Sequence, residues 1–172
     1  MVCKQEEMRK VALTMIKSDG LILELGCGNG NFAKLLSDNG YKNYLGIDII
    51  SNNIKEAKKL VPNFDFWAVN VFASRVFSKI KEASTIVSFQ TFEHLGTRKG
   101  NEDIDFLLTF PQGKHFIFSV PNSPYLKEHK RWFELEGWKK RYGDILNYKE
   151  AITIQNPKKK DKRSFLFNSE VK

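Results

Sequence analysis

Three alternating glycines in the stretch Leu23-Glu24-Leu25-Gly26-Cys27-Gly28-Asn29-Gly30-Asn31-Phe32 constrain this chain more than any other feature. Residues 21–25 before them are an apolar run of strand length. Residues 31–37 after them put Phe32, Ala33, Leu35 and Leu36 on one side, as a helix does. Glycines in a strand-to-helix turn permit positive φ and let a ligand approach the backbone closely. The helix that follows offers unpaired N–H groups and a partial positive charge. A nucleotide or nucleoside ligand can therefore lie across the strand ends, where an open α/β sheet switches direction. Asp48 ends the next apolar run, residues 44–49, and its carboxylate can accept hydrogen bonds from both hydroxyls of a ribose. That pairing is more specific than a glycine pattern alone.

The rest of the chain continues the same rhythm. Residues 4–17 carry Met8, Val11, Ala12, Met15 and Ile16 at helical spacing, so an N-terminal helix is expected within residues 1–20. Ser51 is a candidate N-cap for a helix to Leu60, and Asn101 for one whose first turn holds Glu102, Asp103 and Asp105. Residues 64–69, 85–89 and 115–120 read as strands, and residues 73–81 as a short helix. Alternating strands and helices predict a doubly wound, mostly parallel sheet with helices on both faces. After Pro121 the pattern changes. Residues 125–142 have weak helical periodicity, and residues 151–155 and 164–167 look like two strands joined by the run Lys158-Lys159-Lys160-Asp161-Lys162-Arg163. Such a pair fits one antiparallel edge hairpin. Residues 122–150 are expected to form a lid over the ligand side of a single domain spanning 1–172.

At 172 residues the chain suits one domain. No apolar run is long enough for a membrane span, and residues 1–10 carry no signal-peptide core, so a cytoplasmic location is the default expectation. The two cysteines are Cys3 and Cys27. They are expected to be reduced thiols, and no metal site is expected. The net charge of +8 attracts phosphates, nucleic acid or acidic small molecules, although simple solubility explains it equally well.

A dinucleotide site would ask for Gly-x-Gly-x-x-Gly, but Asn31 stands where its last glycine would be. Glu24 just before the first glycine would repel a pyrophosphate and suits an ammonium group. The segment Glu24-x-Gly26-x-Gly28-x-Gly30 resembles the first motif of class I S-adenosylmethionine (SAM)-dependent methyltransferases. Ile47-Asp48-Ile49 resembles the end of their second strand, and Ala68-Val69-Asn70-Val71 their adenine-contacting segment. Phe89-Gln90-Thr91-Phe92-Glu93-His94-Leu95 and Phe118-Ser119-Val120-Pro121-Asn122 resemble the ends of their fourth and fifth strands, the former as it stands in the ubiquinone-type O-methyltransferases of the small-molecule group. The resemblance covers residues 10–122.

The resemblance implies a Rossmann-like methyltransferase fold with a seven-stranded sheet, and SAM as cofactor. It places Glu24, Gly26, Cys27, Gly28 and Gly30 at the methionine end, Asp48 at the ribose, and Ile49, Asn70 and Val71 at the adenine. Gln90 would face the sulfonium. His94 is the candidate general base, since an unperturbed imidazole titrates near neutrality. The alternative is a Glu93–His94 contact that orders the loop. Gln90 replaces the first carboxylate of the metal-binding Glu-x-x-Glu-His of ubiquinone-type enzymes, so no metal is expected. His129 and Arg131 fall at a family element of the acceptor pocket, and His115 reads as a satisfied sheet residue. The expected acceptor is a small molecule, acidic or phosphorylated acceptors included. An RNA methyltransferase and a non-catalytic SAM-binding subunit are the alternatives.

Overall fold

The computed structural model describes residues 4–16, 20–97, 99–122, 130, 132–156 and 159–172. Its first half is a run of strand–helix units: α1 (Lys4–Met15), β1 (Ile22–Leu25), α2 (Asn31–Asp38), β2 (Tyr44–Asp48), α3 (Ser51–Leu60), β3 (Asp65–Ala68), α4 (Ser74–Glu82) and β4 (Thr85–Phe89). A single 3-10 turn (Phe92–His94), α5 (Glu102–Leu107), β5 (His115–Pro121), α6 (Leu135–Tyr142), β6 (Leu146–Asn156) and β7 (Lys159–Val171) follow. The seven strands form one sheet in the order β3-β2-β1-β4-β5-β7-β6. β1 to β5 are parallel, and β7 runs antiparallel to both β5 and β6. This is the expected Rossmann-like methyltransferase architecture with its edge hairpin.

Alternation along the strands divides the core into two layers. Leu23, Leu25, Phe116, Phe118, Phe165 and Phe167 face one side, where they meet Val76 and Ile80 of α4, Phe106 of α5, and Trp138 and Tyr142 of α6. Ile22, Ile117 and Leu166 face the other, against Met8 and Ala12 of α1, Phe32 and Leu36 of α2, and Ile54 and Ala57 of α3. Each fully buried ring or branched side chain contributes about 1.5–3 kcal/mol relative to exposure. The parallel order reverses at β1, where the chain has gone to β2 on one side and returns to β4 on the other. The crevice between the carboxyl ends of β1 and β4 is therefore the place where this architecture can hold a ligand.

The elements after Pro121 depart most from expectation. The two strands are 11 and 13 residues long, two to three times the expected stretches, because β7 pairs along the whole of β5 and β6 along most of β7. α6 is short and polar in sequence, but Trp138 and Tyr142 anchor it in the core. Trp138 Nε1 donates to the Pro121 carbonyl at 2.9 Å, and Tyr142 Oη to Asp103 Oδ2 at 2.6 Å. Arg141 adds a two-pronged bond to the same fully buried Asp103 carboxylate, from Nε at 2.8 Å and Nη2 at 2.6 Å. Asp103, expected only to sit favourably in a helix's first turn, thus ties α5 to α6. Within residues 122–150, α6 and the start of β6 are packed parts of the domain, while 123–129 and 131 lie outside the described residues.

Two cap expectations are corrected. Ile50, not Ser51, is the N-cap of α3; the Asp48 carboxylate accepts the Ile50 N–H at 2.8 Å and shapes the helix entry. Asn101 is the N-cap of α5, but its side chain makes no capping bond. Among the described residues no helix is long and apolar enough to cross a membrane.

Candidate functional site

The three glycines of the turn are required for three different reasons. All have positive φ, at 79°, 54° and 84° for Gly26, Gly28 and Gly30. A Cβ on Gly26 would lie 2.1 Å from Thr91 Oγ1, which reaches across from the end of β4 to bond the Leu25 carbonyl at 3.2 Å. A Cβ on Gly30, the N-cap of α2, would lie 2.9 Å from the Cβ of Ala57, so this glycine lets α2 pack against α3. A Cβ on Gly28 would meet nothing within 4 Å. There the glycine keeps space open. The Gly26 and Cys27 N–H groups close the turn by donating to the Ile47 carbonyl at 2.7 and 2.9 Å.

Asp48 joins this turn to β2. Its Oδ2 accepts the Gly28 N–H at 2.8 Å, and its Oδ1 accepts the Ile50 N–H at 2.8 Å. A carboxylate has about four lone-pair directions, so acceptor capacity remains for a ligand hydroxyl.

A cleft of about 550 Å³ opens at these strand ends. Gly26 lines it from the turn, Asp48 and Ile49 from the end of β2, and Asn70 and Val71 from the end of β3. Gln90 and His94 line it from the segment after β4. Ile49 is 66% exposed, an open apolar surface at the cleft wall. Asn70 Oδ1 accepts the Phe72 N–H at 3.0 Å, so this residue shapes a turn while lining the cleft. It does not cap α4, whose N-cap is Ala73.

Gln90 carries the one positive φ among the described non-glycine residues, 51°. A left-handed backbone costs such a residue about 1–2 kcal/mol, and the surroundings must hold it there. Ser119 of β5 does so. The Gln90 N–H donates to the Ser119 carbonyl at 3.0 Å and to its Oγ at 3.2 Å, and the side-chain Nε2 donates to the same Oγ at 3.2 Å. Ser164 of β7 donates to Gln90 Oε1 at 3.5 Å. Polar groups from β4, β5 and β7 thus converge at the cleft floor.

Other expected site residues lie outside the cleft lining. Glu24 points into the layer beneath the turn, buried, and accepts a hydrogen bond from the Tyr44 hydroxyl. Burial pushes its carboxyl up to about 8, while the bond from Tyr44 acts in the opposite sense. Gly46 makes room for this pair: a Cβ there would lie 2.9 Å from both Tyr44 Oη and Cys27 Sγ. The Cys27 side chain packs in the same layer, 6% exposed, with burial pushing its thiol well above the ordinary range. The alternation of β1 explains Glu24: Leu23 and Leu25 occupy one face, so Glu24 faces the helices on the other. Gly28 and Gly30 act through Asp48 and α3.

The 3-10 turn places His94 at the cleft wall and buries Glu93 completely. Among the described residues the Glu93 carboxyl oxygens have no hydrogen-bond partner, so the loop-ordering bond expected with His94 is not made. Burial pushes the carboxyl up to about 8, with its own backbone N–H acting in the opposite sense. His115 is satisfied as expected, by Asn168 Oδ1 at 2.8 Å and Thr85 Oγ1 at 3.3 Å. His129 and Arg131 lie outside the described residues. Sequence reasoning missed Phe72, half-exposed at the cleft edge, and the contacts of Thr91 and Ser164. No local pattern signals these, because each acts across strands distant in the chain.

Comparison with known proteins agrees with this geometry. The profile of a family described as methyltransferase domain matches residues 4–156. The chain is 24% identical over 156 residues to the eEF1A lysine and N-terminal methyltransferase of Homo sapiens, covering 83% of this chain and 22% of that protein. It is 27% identical over 157 residues to the mRNA cap guanine-N(7) methyltransferase of Saccharomyces cerevisiae, covering 81% of this chain and 35% of the relative. The chain therefore spans about a fifth to a third of the length of these relatives. Among solved structures, the N-methyltransferase NodS from Bradyrhizobium japonicum WM9 in complex with S-adenosyl-l-homocysteine (SAH) superposes with a TM-score of 0.74 at 17% identity. That likeness covers 98% of this chain and 87% of NodS, and establishes the shared fold.

Proposed function

This chain belongs to the methyltransferase-domain family, and from that premise we propose that it moves the methyl group of SAM to an oxygen, nitrogen or carbon atom of a small-molecule acceptor. The observation that carries the reading is the single cleft shared by the glycine turn, Asp48, Asn70, Gln90 and His94. Its volume of about 550 Å³ is in the range of small-molecule sites. Ile49 and Val71 supply apolar walls for an adenine, and Asp48 has free acceptor capacity for ribose hydroxyls. Gln90, fixed in a strained backbone conformation by Ser119, lies where the methyl group is passed on.

The sulfonium makes SAM a reactive donor, because its sulfur leaves as a neutral thioether when the acceptor takes the methyl group, so holding donor and acceptor in line supplies much of the rate. In this reading His94 removes the acceptor's proton where the acceptor atom carries one. Glu24 plays no direct part in binding, because its side chain lies beneath the turn with Tyr44. A second reading, an RNA acceptor, draws on the likeness to the mRNA cap guanine-N(7) methyltransferase and on the net charge of +8.

The test is a screen of cell extract, separated by size and by nuclease sensitivity, for label transferred from methyl-labelled SAM by the purified chain. Label in the low-molecular-weight, nuclease-resistant fraction is the expected outcome. Label confined to nuclease-sensitive polymer overturns the small-molecule reading in favour of the second. SAM and SAH should raise the melting temperature and NAD should not.

A further inference from the structure

A second cavity, of about 380 Å³, adjoins the cofactor cleft in the layer of α4 and α5. It shares Phe72 and Gly96 with the cleft, and the rest of its lining comes from Phe77 of α4 and from α5 with the turn after it. Three phenylalanines wall it. Phe106 is the most deeply buried; the Phe72 ring stands against it at 5.2 Å and 72°, and the Phe77 ring at 6.0 Å and 61°. Phe72 keeps 40% of its surface exposed, so an apolar ring remains uncovered where the two spaces meet.

The polar side chains around these rings are acceptors. Glu102 and Asp105, from the first turn of α5, bring carboxylates to the cavity, and Asp105 is exposed. Asp103 of the same turn is engaged by Arg141 and Tyr142 and does not line it. Gly96 and Gly100 make room for Glu102, because a side chain at either position would run into its carboxylate. The Thr109 hydroxyl donates to the Phe106 carbonyl at 2.7 Å, so what it has left to offer is lone pairs. Among the described residues no lysine or arginine lines the cavity, although the chain as a whole carries a net charge of +8. Carboxylates and ring faces together select a cation.

We propose that the cavity walled by Phe72, Phe77 and Phe106, with Glu102 and Asp105 at its edge, is a second binding site that takes an alkylated ammonium group. A primary ammonium has three N–H donors to satisfy, and ring faces are poor partners for them. A trimethylammonium head has none. Its methyl groups bury against the rings, its charge is attracted by their faces, and the carboxylates add attraction from the edge. Phe72 and Gly96 border both spaces, so a ligand here lies next to the cofactor cleft without occupying it. The site stands independently of which acceptor receives the methyl group. The same head is carried by free choline-like molecules and by a trimethylated lysine side chain.

Titration of the protein with choline, with and without SAH and followed by amide NMR, tests the proposal. The control probe is the neutral carbon analogue of choline, in which a tert-butyl group replaces the trimethylammonium head. The expected result is saturable shifts centred on Phe72, Phe77, Gly96, Phe106 and Thr109, with choline bound about tenfold more tightly than the neutral probe. Asp105→Asn removes charge from an exposed position, so it should weaken choline about threefold and leave the neutral probe unchanged. Phe77→Leu should weaken choline about fivefold. Asp65→Asn makes the same change of charge at the amino end of β3, away from the cavity, and should leave choline unchanged. A parallel titration with trimethyllysine amide separates the sources: tighter binding than choline identifies a modified lysine side chain, and weaker binding a free small molecule, and either supports the site. Equal affinity for choline and its neutral analogue, or an absence of choline shifts, overturns the proposal. Shifts confined to Gly26, Asp48 and Gln90 that vanish when SAM replaces SAH also overturn it, because they put the cation in the cofactor cleft. SAH binding is read from its own shifts, so failure of the ammonium site and failure of the methyl-transfer reading are seen separately.

Discussion

Replacing Glu93 by Gln should stabilise the protein in alkaline solution and leave it nearly unchanged in acid. The Glu93 carboxyl is fully buried, neither oxygen has a hydrogen-bond partner among the described residues, and burial raises it from an ordinary 4.5 to about 8. The folded state therefore holds the proton to higher pH than the unfolded state does. Below about pH 4.5 the group is neutral in both states and costs the fold no ionisation. Between 4.5 and 8 the unfolded chain ionises while the folded chain resists, so stability falls as pH rises, and above 8 the loss is complete. A rise of about 3.5 in pKa, at about 1.4 kcal/mol each, gives a loss of at most about 5 kcal/mol. That is a large share of the 5–15 kcal/mol typical of a domain. Glutamine has nearly the same shape and does not ionise. Its buried amide is unpaired, but so is the protonated carboxyl it replaces, so the two proteins should differ by no more than about 1 kcal/mol at pH 5. At pH 8.5 the variant should be more stable by about 4 kcal/mol. With a urea m-value of about 2 kcal/mol/M, its unfolding midpoint should lie about 2 M higher. Glu24 titrates over the same range but is present in both proteins and cancels from the difference. Midpoints that move in parallel between pH 5 and 8.5 would refute the argument, because they would mean that Glu93 is solvated or paired in the folded protein.

Four further substitutions probe the site and its supports. Gly30→Ala should lose about 2 kcal/mol or more through its positive φ and its 2.9 Å approach to Ala57, and Ala57→Gly should restore part of it; additive losses in urea unfolding would contradict the packing account. Gly28→Ala has space and should fold at a cost of about 1 kcal/mol, yet weaken SAH in calorimetry by tenfold or more; unchanged affinity would remove Gly28 from the cofactor's path. Asp48→Asn keeps the shape but replaces a charged acceptor by a neutral one, and should sharply reduce the SAH-induced rise in melting temperature; an undiminished rise would remove Asp48 from ribose binding. Asp103→Ala leaves the Arg141 guanidinium without its main partner and should cost about 3–5 kcal/mol in urea unfolding; a loss under about 1 kcal/mol would show that the ion pair does not tie α5 to α6.

The strand–helix alternation up to Val120 was legible because each element carries its own period and its own stop. Asp48 was legible for the same reason, since it ends an apolar strand at a fixed place after the glycines. Glu24, which the resemblance gives to the methionine end of SAM, lies buried beneath the turn on the Tyr44 hydroxyl. Its neighbours Leu23 and Leu25 already implied that it faces away from them, but the motif resemblance drew it toward the ligand. The length of β6 and β7 was not legible, because their outer halves are lysine- and asparagine-rich. They are strands through pairing with each other across the hairpin and with β5, whose residues lie tens of positions away in the chain. Trp138, Arg141 and Tyr142 were equally hidden. Their partners Pro121 and Asp103 belong to other elements, and nothing local to α6 requires that they be buried.

The cleft is consequently built from two kinds of constraint. On the side of β1, β2 and β3, the turn is closed by backbone bonds to Ile47 and by the Asp48 carboxylate on Gly28 and Ile50. These contacts link neighbouring parallel strands, and they hold the turn in a fixed shape before any ligand arrives. A cofactor meeting a rigid, already bonded surface loses less to ordering. On the side of β4, β5 and β7, the floor is Gln90, strained at φ 51° and held by Ser119 and Ser164. Its geometry depends on the hairpin added after Pro121. Changes in that hairpin can therefore alter what meets the methyl group without disturbing the glycine turn. Substitution of Ser164 should shift the Michaelis constant for the acceptor while leaving the affinity for SAM untouched, and a parallel loss of both would mean that the two halves of the cleft form one mechanical unit.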